Sequence, residues 1–231
     1  MNTNDENPTS ANRRSRPVLV WDLPTRLFHW LAVALVLAAY VTIRLNLLDW
    51  HVRIGETLLA LVLFRLLWGC VGSETARFRS FVASPAAALR HLRHLFQREP
   101  DLQVGHNPAG GWMVLLLLAL LLGETLSGLY DYNDVSDVGP LTAWVPAPIA
   151  YAISVLHDSL LWDVIVAAVV LHVLAIALYA IAKGHNLLRP MVTGRKTLPG
   201  PILPPRRTSA GLALLCLIVA AAAATALATY L

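Results

Sequence analysis

The stretch that decides the fold is Pro148–Lys183, PIAYAISVLHDSLLWDVIVAAVVLHVLAIALYAIAK, an apolar run interrupted by two histidines, His157 and His172. The histidines are 15 residues apart. On an α-helix that separation is about 22 Å of rise and returns to within roughly 60° of the starting face. The hydrocarbon core of a bilayer is about 30 Å thick, so one imidazole would lie near each side of a membrane. Such a helix suggests two metal centres stacked across the bilayer. The plainer reading is two buried or interfacial histidines sharing a helix. The two readings separate on whether other helices supply partners at the same two levels.

Composition points the same way. Of 231 residues, 57% are hydrophobic and 14% charged, and the mean hydropathy is +0.60. Soluble domains carry about a quarter charged residues. Several apolar runs approach the ~20 residues that span hydrocarbon. The chain reads as an all-α integral membrane protein, with lipid as its surroundings and no nucleic-acid partner. Cys70 and Cys216 lie in different apolar segments and read as packing residues. No CxxCH occurs, which excludes covalent c-type haem.

Residues 1–17 are polar and read as a disordered tail. Arg13, Arg14 and Arg16 precede an apolar run too short for a cleaved signal. Four spans follow, at about Leu27–Leu48, His51–Val71, Trp112–Tyr130 and Pro148–Lys183, then a fifth at about Ser209–Tyr230. Asp22 or Thr25 is a candidate cap for the first. Between the second and third spans, Pro85–Phe96 reads as a short amphipathic helix on the membrane surface.

Arginine and lysine in the loops orient the chain. Arg13, Arg14, Arg16, Arg26, Arg77, Arg79, Arg90, Arg93 and Arg98 fall on one side, with Lys183, Arg189, Arg195, Lys196, Arg206 and Arg207. Arg44 and Arg53 fall on the other. The first side is therefore cytoplasmic and the N-terminus lies there. This ordering, which uses no histidine, sorts the histidines into two couples: His51 with His157 toward the external side, and His29 with His172 toward the internal side. Facing imidazoles in an apolar bundle bind haem iron from both axial sides. Arg26 and Arg53, each close to a ligand in sequence, are candidate propionate partners, and Arg65, about 9 Å deep in the second span, either reaches propionates or snorkels to the interface. Zinc is disfavoured because it takes four clustered ligands, and each level offers two.

At this point the chain resembles a known family. "VWDLPTRLFHW" (20–30), "WHVRIGE" (50–56), "LVLFRLLWGCVGS" (61–73), "GHNPAGGW" (105–112), "LHDSLLWDVIVAAVVLHVLA" (156–175) and "HNLLRPMVTGRK" (185–196) appear in order. They resemble the bacterial di-haem cytochrome b561 family, which includes the cytochrome b subunits of nickel–iron hydrogenases. The resemblance covers about residues 18–196. It implies a four-helix transmembrane bundle holding two non-covalent haem b groups, with His29, His51, His157 and His172 as axial ligands. It implies a respiratory-chain electron carrier in the bacterial plasma (inner) membrane. Electrons would pass between the quinone pool, or another membrane donor, and an external redox protein such as a c-type cytochrome or a dehydrogenase subunit. The acidic loop Asp131–Asp137 is external in this topology and suited to docking a basic partner. Residues 197–231, a Pro-rich linker and an additional helix, lie outside the resemblance.

Some residues keep two readings. Glu124 lies inside the third span, where a carboxylate serves proton movement or a quinone pocket, or is a buried protonated acid. Its depth places it away from Arg65. His106 and His185, near span ends, read as surface or capping residues, with iron ligation the lesser reading, and His91 and His94 read as a solvated face, with a shared metal the lesser reading. Two alternatives to the electron carrier are a quinone-linked oxidoreductase acting on a small substrate such as superoxide, and a haem-free membrane anchor.

Overall fold

A computed structural model describes residues 16–94, 97, 103–132, 139–200 and 202–229. Most of the tail, together with Phe96, Arg98, Asp134, Asp137 and Tyr230, lies outside the described residues. Five helices among the described residues are long and apolar enough to cross a membrane. They are α1 (Leu23–Arg44), α2 (Leu48–Val71), α5 (Pro108–Gly128), the fourth span Ala147–Lys183, and α9 (Ala210–Thr229). The chain is an all-α membrane protein.

The sequence provides side-chain caps for α1 and α5, whereas α2 and the fourth span start without one. Asp22 Oδ1 accepts from the Thr25 amide at 2.9 Å, with Pro24 in the first turn. That resolves the choice between Asp22 and Thr25: α1 starts at Leu23, next to the expected Pro24 and ahead of the apolar span that begins at about Leu27. Asn107 Oδ1 accepts from the Gly110 amide at 2.6 Å, and Pro108 opens α5. These caps supply acceptors for amides that have no partner within the helix, and proline loses nothing there. Along the spans, large apolar side chains such as Leu37, Leu171 and Leu174 remain exposed. In hydrocarbon that exposure is the stable arrangement, and a helix satisfies its own backbone.

α2 is the central element. It packs against α1, α5 and α9, and α5 packs against the fourth span. Its buried face (Leu58, Leu61, Val62, Phe64 and Trp68) meets Ala32 of α1 and Cys216 and Ala220 of α9. The small residues Cys216, Ala220 and Ala224 repeat every fourth position, so one stripe of α9 lies close against α2. α1 meets the fourth span through rings, with Tyr40 stacked on Trp162 at 5.3 Å between centroids.

The fourth span is not uniformly α-helical. α6 (Ala147–Val155) leads into a π-helical turn, Leu156–Leu161, followed by α7 (Trp162–Leu178) and a second π turn, Tyr179–Lys183. One residue inserted per π turn moves the later face by about 100°. The expected offset of roughly 60° between His157 and His172 thus becomes about 40° of opposite sense.

A two-stranded antiparallel ribbon closes one end of the bundle. β1 (Arg16–Leu19) pairs with β2 (Arg195–Leu198), Arg16 opposite Leu198. Arg16 and Pro17, placed in the tail by composition, are thus ordered. Val18, Val20, Trp21 and Leu198 form a small core under the ribbon. Gly194 makes the turn from α8 (Leu188–Thr193) into β2 at φ 78°, a left-handed value that suits glycine. Its carbonyl accepts from the Val20 and Trp21 amides at 2.8 and 3.1 Å. The short helix α3 (Phe78–Phe81) and the amphipathic α4 (Pro85–Arg93) lie at the same end, called the ribbon end below. α4 ends at Arg93, before the expected Phe96. It is tied to the fourth span by His91 Nε2, 2.6 Å from the Tyr179 hydroxyl. His91 is therefore a contact residue rather than part of a solvated face.

Candidate functional site

The four histidines form two pairs at two levels. His29 on α1 faces His172 on α7, with ring centroids 6.4 Å apart. His51, in the first turn of α2, faces His157 in the first π turn at 6.3 Å. The first pair is at the ribbon end and the second at the far end.

The far-end rings are oriented by hydrogen bonds. His51 Nδ1 lies 3.0 Å from the Ala39 carbonyl across the helix pair. His157 Nδ1 lies 2.9 Å from the Glu124 carbonyl and 3.1 Å from Ser127 Oγ. A carbonyl only accepts, so both rings carry their proton on Nδ1, and Nε2 is the nitrogen left for a ligand. Gly128 makes room for this: a Cβ there would lie 3.1 Å from His157 Cε1. One turn below His51, a Cβ on Gly55 would meet nothing within 4 Å. The backbone beside that ring borders open space.

Glu124 sits at the far-end level. Its Oε2 is 3.8 Å from His157 Nδ1 and is buried without a hydrogen-bond partner among the described residues. The expected separation from Arg65 holds, since Arg65 packs at the ribbon end between the rings of Phe28 and Phe78.

The ribbon-end pair is surrounded differently. His29 Nδ1, Arg65 Nη1, His106 Nδ1 and Arg26 Nε are all buried, and none has a hydrogen-bond partner among the described residues. Arg65 is 2% exposed. The nearby Asp22 carboxylate is already occupied: Oδ1 caps α1 and Oδ2 accepts from Trp68 Nε1 at 3.0 Å. Unpartnered buried donors are costly, and a cluster around two facing imidazoles suits an anionic ligand. Arg26 and Arg53 are placed less centrally. Arg26 Nη1 donates to the Val192 carbonyl at 2.6 Å, which ties α1 to α8. Arg53 is exposed and lies over the Trp50 ring.

From the sequence His106 reads as a capping or surface residue; the structure instead encloses its ring. It is held between Trp21 and Phe81, with ring centroids at 4.4 and 4.6 Å. Part of the ring is exposed, but Nδ1 is shut off from water. Burial pushes its pKa down to about 3, with Arg65 and His172 nearby adding to the effect. The ring is neutral at ordinary pH and can present a proton on Nδ1. The signal that would have found it is the aromatic pair enclosing it, which comes from two distant segments.

The pairs fit a linear two-nitrogen metal site. An imidazole nitrogen binds a first-row metal at about 2 Å and lies about 1.1 Å from its ring centre, which puts two axial imidazoles about 6.3 Å apart. Both pairs match that value. Among the described residues no group of three or more His, Cys, Asp or Glu is placed to hold a metal. The chain matches the family model described as prokaryotic cytochrome b561 over residues 20–194. It belongs to the prokaryotic cytochrome b561 family. No curated protein and no solved structure matches it. Membership in the cytochrome b561 family brings b-type haem, transmembrane electron transfer and a prokaryotic membrane. All four paired histidines fall inside the matched residues.

Proposed function

We propose that this cytochrome b561 holds two b haems, one at each histidine pair, and carries electrons between the two faces of the membrane. The supporting observation is that the rings of two histidine pairs face each other with centroids 6.4 and 6.3 Å apart, at two levels of one bundle, a separation that would leave room for one metal ion between the rings of each pair. Bound haem supplies one-electron ferric–ferrous chemistry in an apolar setting. The chain's own residues do the rest. His29 with His172 and His51 with His157 would hold the iron through imidazole nitrogens. The Ala39 and Glu124 carbonyls fix the far-end imidazoles through Nδ1. Arg65, His106 and Arg26 supply donors for carboxylates at the ribbon end, and Arg53 is the cation beside the far-end pair. The haem-binding unit is residues 18–196, with residues 197–231 appended to it.

The ribbon end is the cytoplasmic one in this reading, because the far end carries only Arg44 and Arg53 among the loop cations of the described residues. The far-end haem then exchanges electrons with an external redox protein, a c-type cytochrome or a dehydrogenase subunit. The quinone pool or another membrane donor completes the circuit. Glu124, a buried carboxylate against His157, supports a proton-handling role at that end, as a quinone reaction requires.

The test is haem stoichiometry with redox titration of the purified protein. Two acid-extractable b haems per chain, titrating as two components, are expected. A value near one or zero overturns the assignment.

A further inference from the structure

Beside the ribbon, α8 and β2 enclose a cleft of about 710 Å³ at the end of the fourth span. Its lining includes Pro17, His185, Asn186, Arg189, Arg195 and Lys196, and among the described residues no Asp or Glu. Arg189 and Arg195 are exposed, and neither guanidinium has a hydrogen-bond or ion-pair partner among the described residues. Lys196 Nζ donates to the Gln103 carbonyl at 2.8 Å, which fixes a third positive charge in place. The cleft begins where the apolar span stops, at Lys183 and Gly184. In the segments that frame it, Ile181, Leu188 and Val192 are exposed apolar side chains.

We propose that this cleft binds the phosphate headgroup of an anionic phospholipid, with Arg189 and Arg195 gripping the phosphate and the acyl chains lying against Ile181, Leu188 and Val192. Three features together select this occupant. The end of a hydrophobic span is the depth at which lipid phosphates lie. Basic pockets at that level select anionic headgroups over zwitterionic ones. Paired planar guanidinium groups match phosphate oxygens. The apolar flank separates a lipid from a free anion, which has nothing to place there.

Occupancy would brace the start of α1. α8 carries the Val192 and Met191 carbonyls, which accept from Arg26 Nη1 at 2.6 Å and Trp30 Nε1 at 3.3 Å. Gly194, at the rim, holds Val20 and Trp21. A ligand that steadies the α8–β2 segment therefore steadies the segment leading to His29, and binding reads out as thermal stability.

The experiment uses the full-length protein in a neutral detergent. Phosphatidylglycerol, phosphatidylcholine or inorganic phosphate is added, and unfolding is followed by circular dichroism. Phosphatidylglycerol is expected to raise the midpoint by several degrees where the other two do not. Native mass spectrometry is expected to retain one phosphatidylglycerol per chain. The variant R189Q/R195Q should lose both effects. R206Q/R207Q, with the same charge change on the neighbouring linker, should keep them. An equal response to inorganic phosphate overturns the lipid assignment in favour of a free anion. An equal loss in R206Q/R207Q, or a full response in R189Q/R195Q, shows general surface attraction and overturns the site. If R189Q/R195Q does not fold, the single variant Arg195→Gln decides by the retained lipid count.

Discussion

The two histidine pairs have nearly the same separation but different surroundings. At the far end each ring is tied through Nδ1 to a carbonyl of a neighbouring helix, Ala39 for His51 and Glu124 for His157. At the ribbon end His29 Nδ1 has no partner among the described residues, and three further buried donors on Arg26, Arg65 and His106 are also unpaired. The far end thus settles its ligand orientation within the protein. The ribbon end concentrates positive and donor groups that an anionic ligand would satisfy. Ligand orientation and nearby charge are separate controls on a haem, and in the proposed two-haem arrangement one of them would act mainly at each level.

Removing ligands gives the largest effect. His51→Ala and His157→Ala should each abolish or strongly perturb the far-end haem and spare the other. His29→Ala and His172→Ala should do the reverse. Levels about 22 Å apart along one helix cannot share a ligand. A double variant within a pair should resemble either single variant, because the two residues act as a unit. A double variant across pairs should lose both haems. Redox titration with extracted-haem counts is the measurement, and a His29 variant that perturbs the same component as a His51 variant would break the pairing.

A smaller effect separates the two environments. Arg65→Gln removes a buried cation from the ribbon end only. A charge interaction of about 1–2 kcal/mol at an effective dielectric near 20 corresponds to roughly 40–90 mV for one electron. The ribbon-end midpoint should therefore fall by several tens of millivolts, because a nearby cation favours the reduced iron. The far-end midpoint should move much less. Equal shifts at both components would mean that Arg65 acts on the bundle as a whole.

The sequence was informative about this site for a physical reason. Span count, loop charge and histidine depth are each set by the bilayer, a one-dimensional constraint that a linear sequence records directly. Features that depend on contacts between distant segments were not legible. β1 and β2 pair residues about 180 positions apart, in strands of four residues with no clear alternation. His106 looked like a loop residue because Trp21 and Phe81, which enclose it, come from elsewhere. The π turn at Leu156–Leu161 leaves no composition signal, yet it sets the angle at which His157 meets His51. His91 was read as solvated because its partner, Tyr179, is 88 residues away.

The smallest expected effect concerns α9, which contacts α2 but carries no histidine. A chain ending at Thr208 keeps the linker contacts: the Thr208 amide donates to Ser73 Oγ, and the Arg206 amide to Glu74 Oε2. What it loses is the stripe of Cys216, Ala220 and Ala224 packed on α2. In water, uncovering Leu58, Leu61 and Phe64 would be costly. In a bilayer the uncovered face meets acyl chains as apolar as the helix it lost, so only close packing is forfeited. Neither imidazole pair includes a residue of α9, and the carbonyls that orient the far-end pair belong to α1 and α5. The truncated, membrane-inserted protein should therefore keep both haems with midpoints within about 20 mV of the full chain, less than half of a tenfold shift in a one-electron equilibrium. It should unfold at a lower temperature in detergent. Loss of one haem alone would show that α9 supports that level through α2, and loss of the far-end haem in particular would locate the support at the start of α2, where His51 lies.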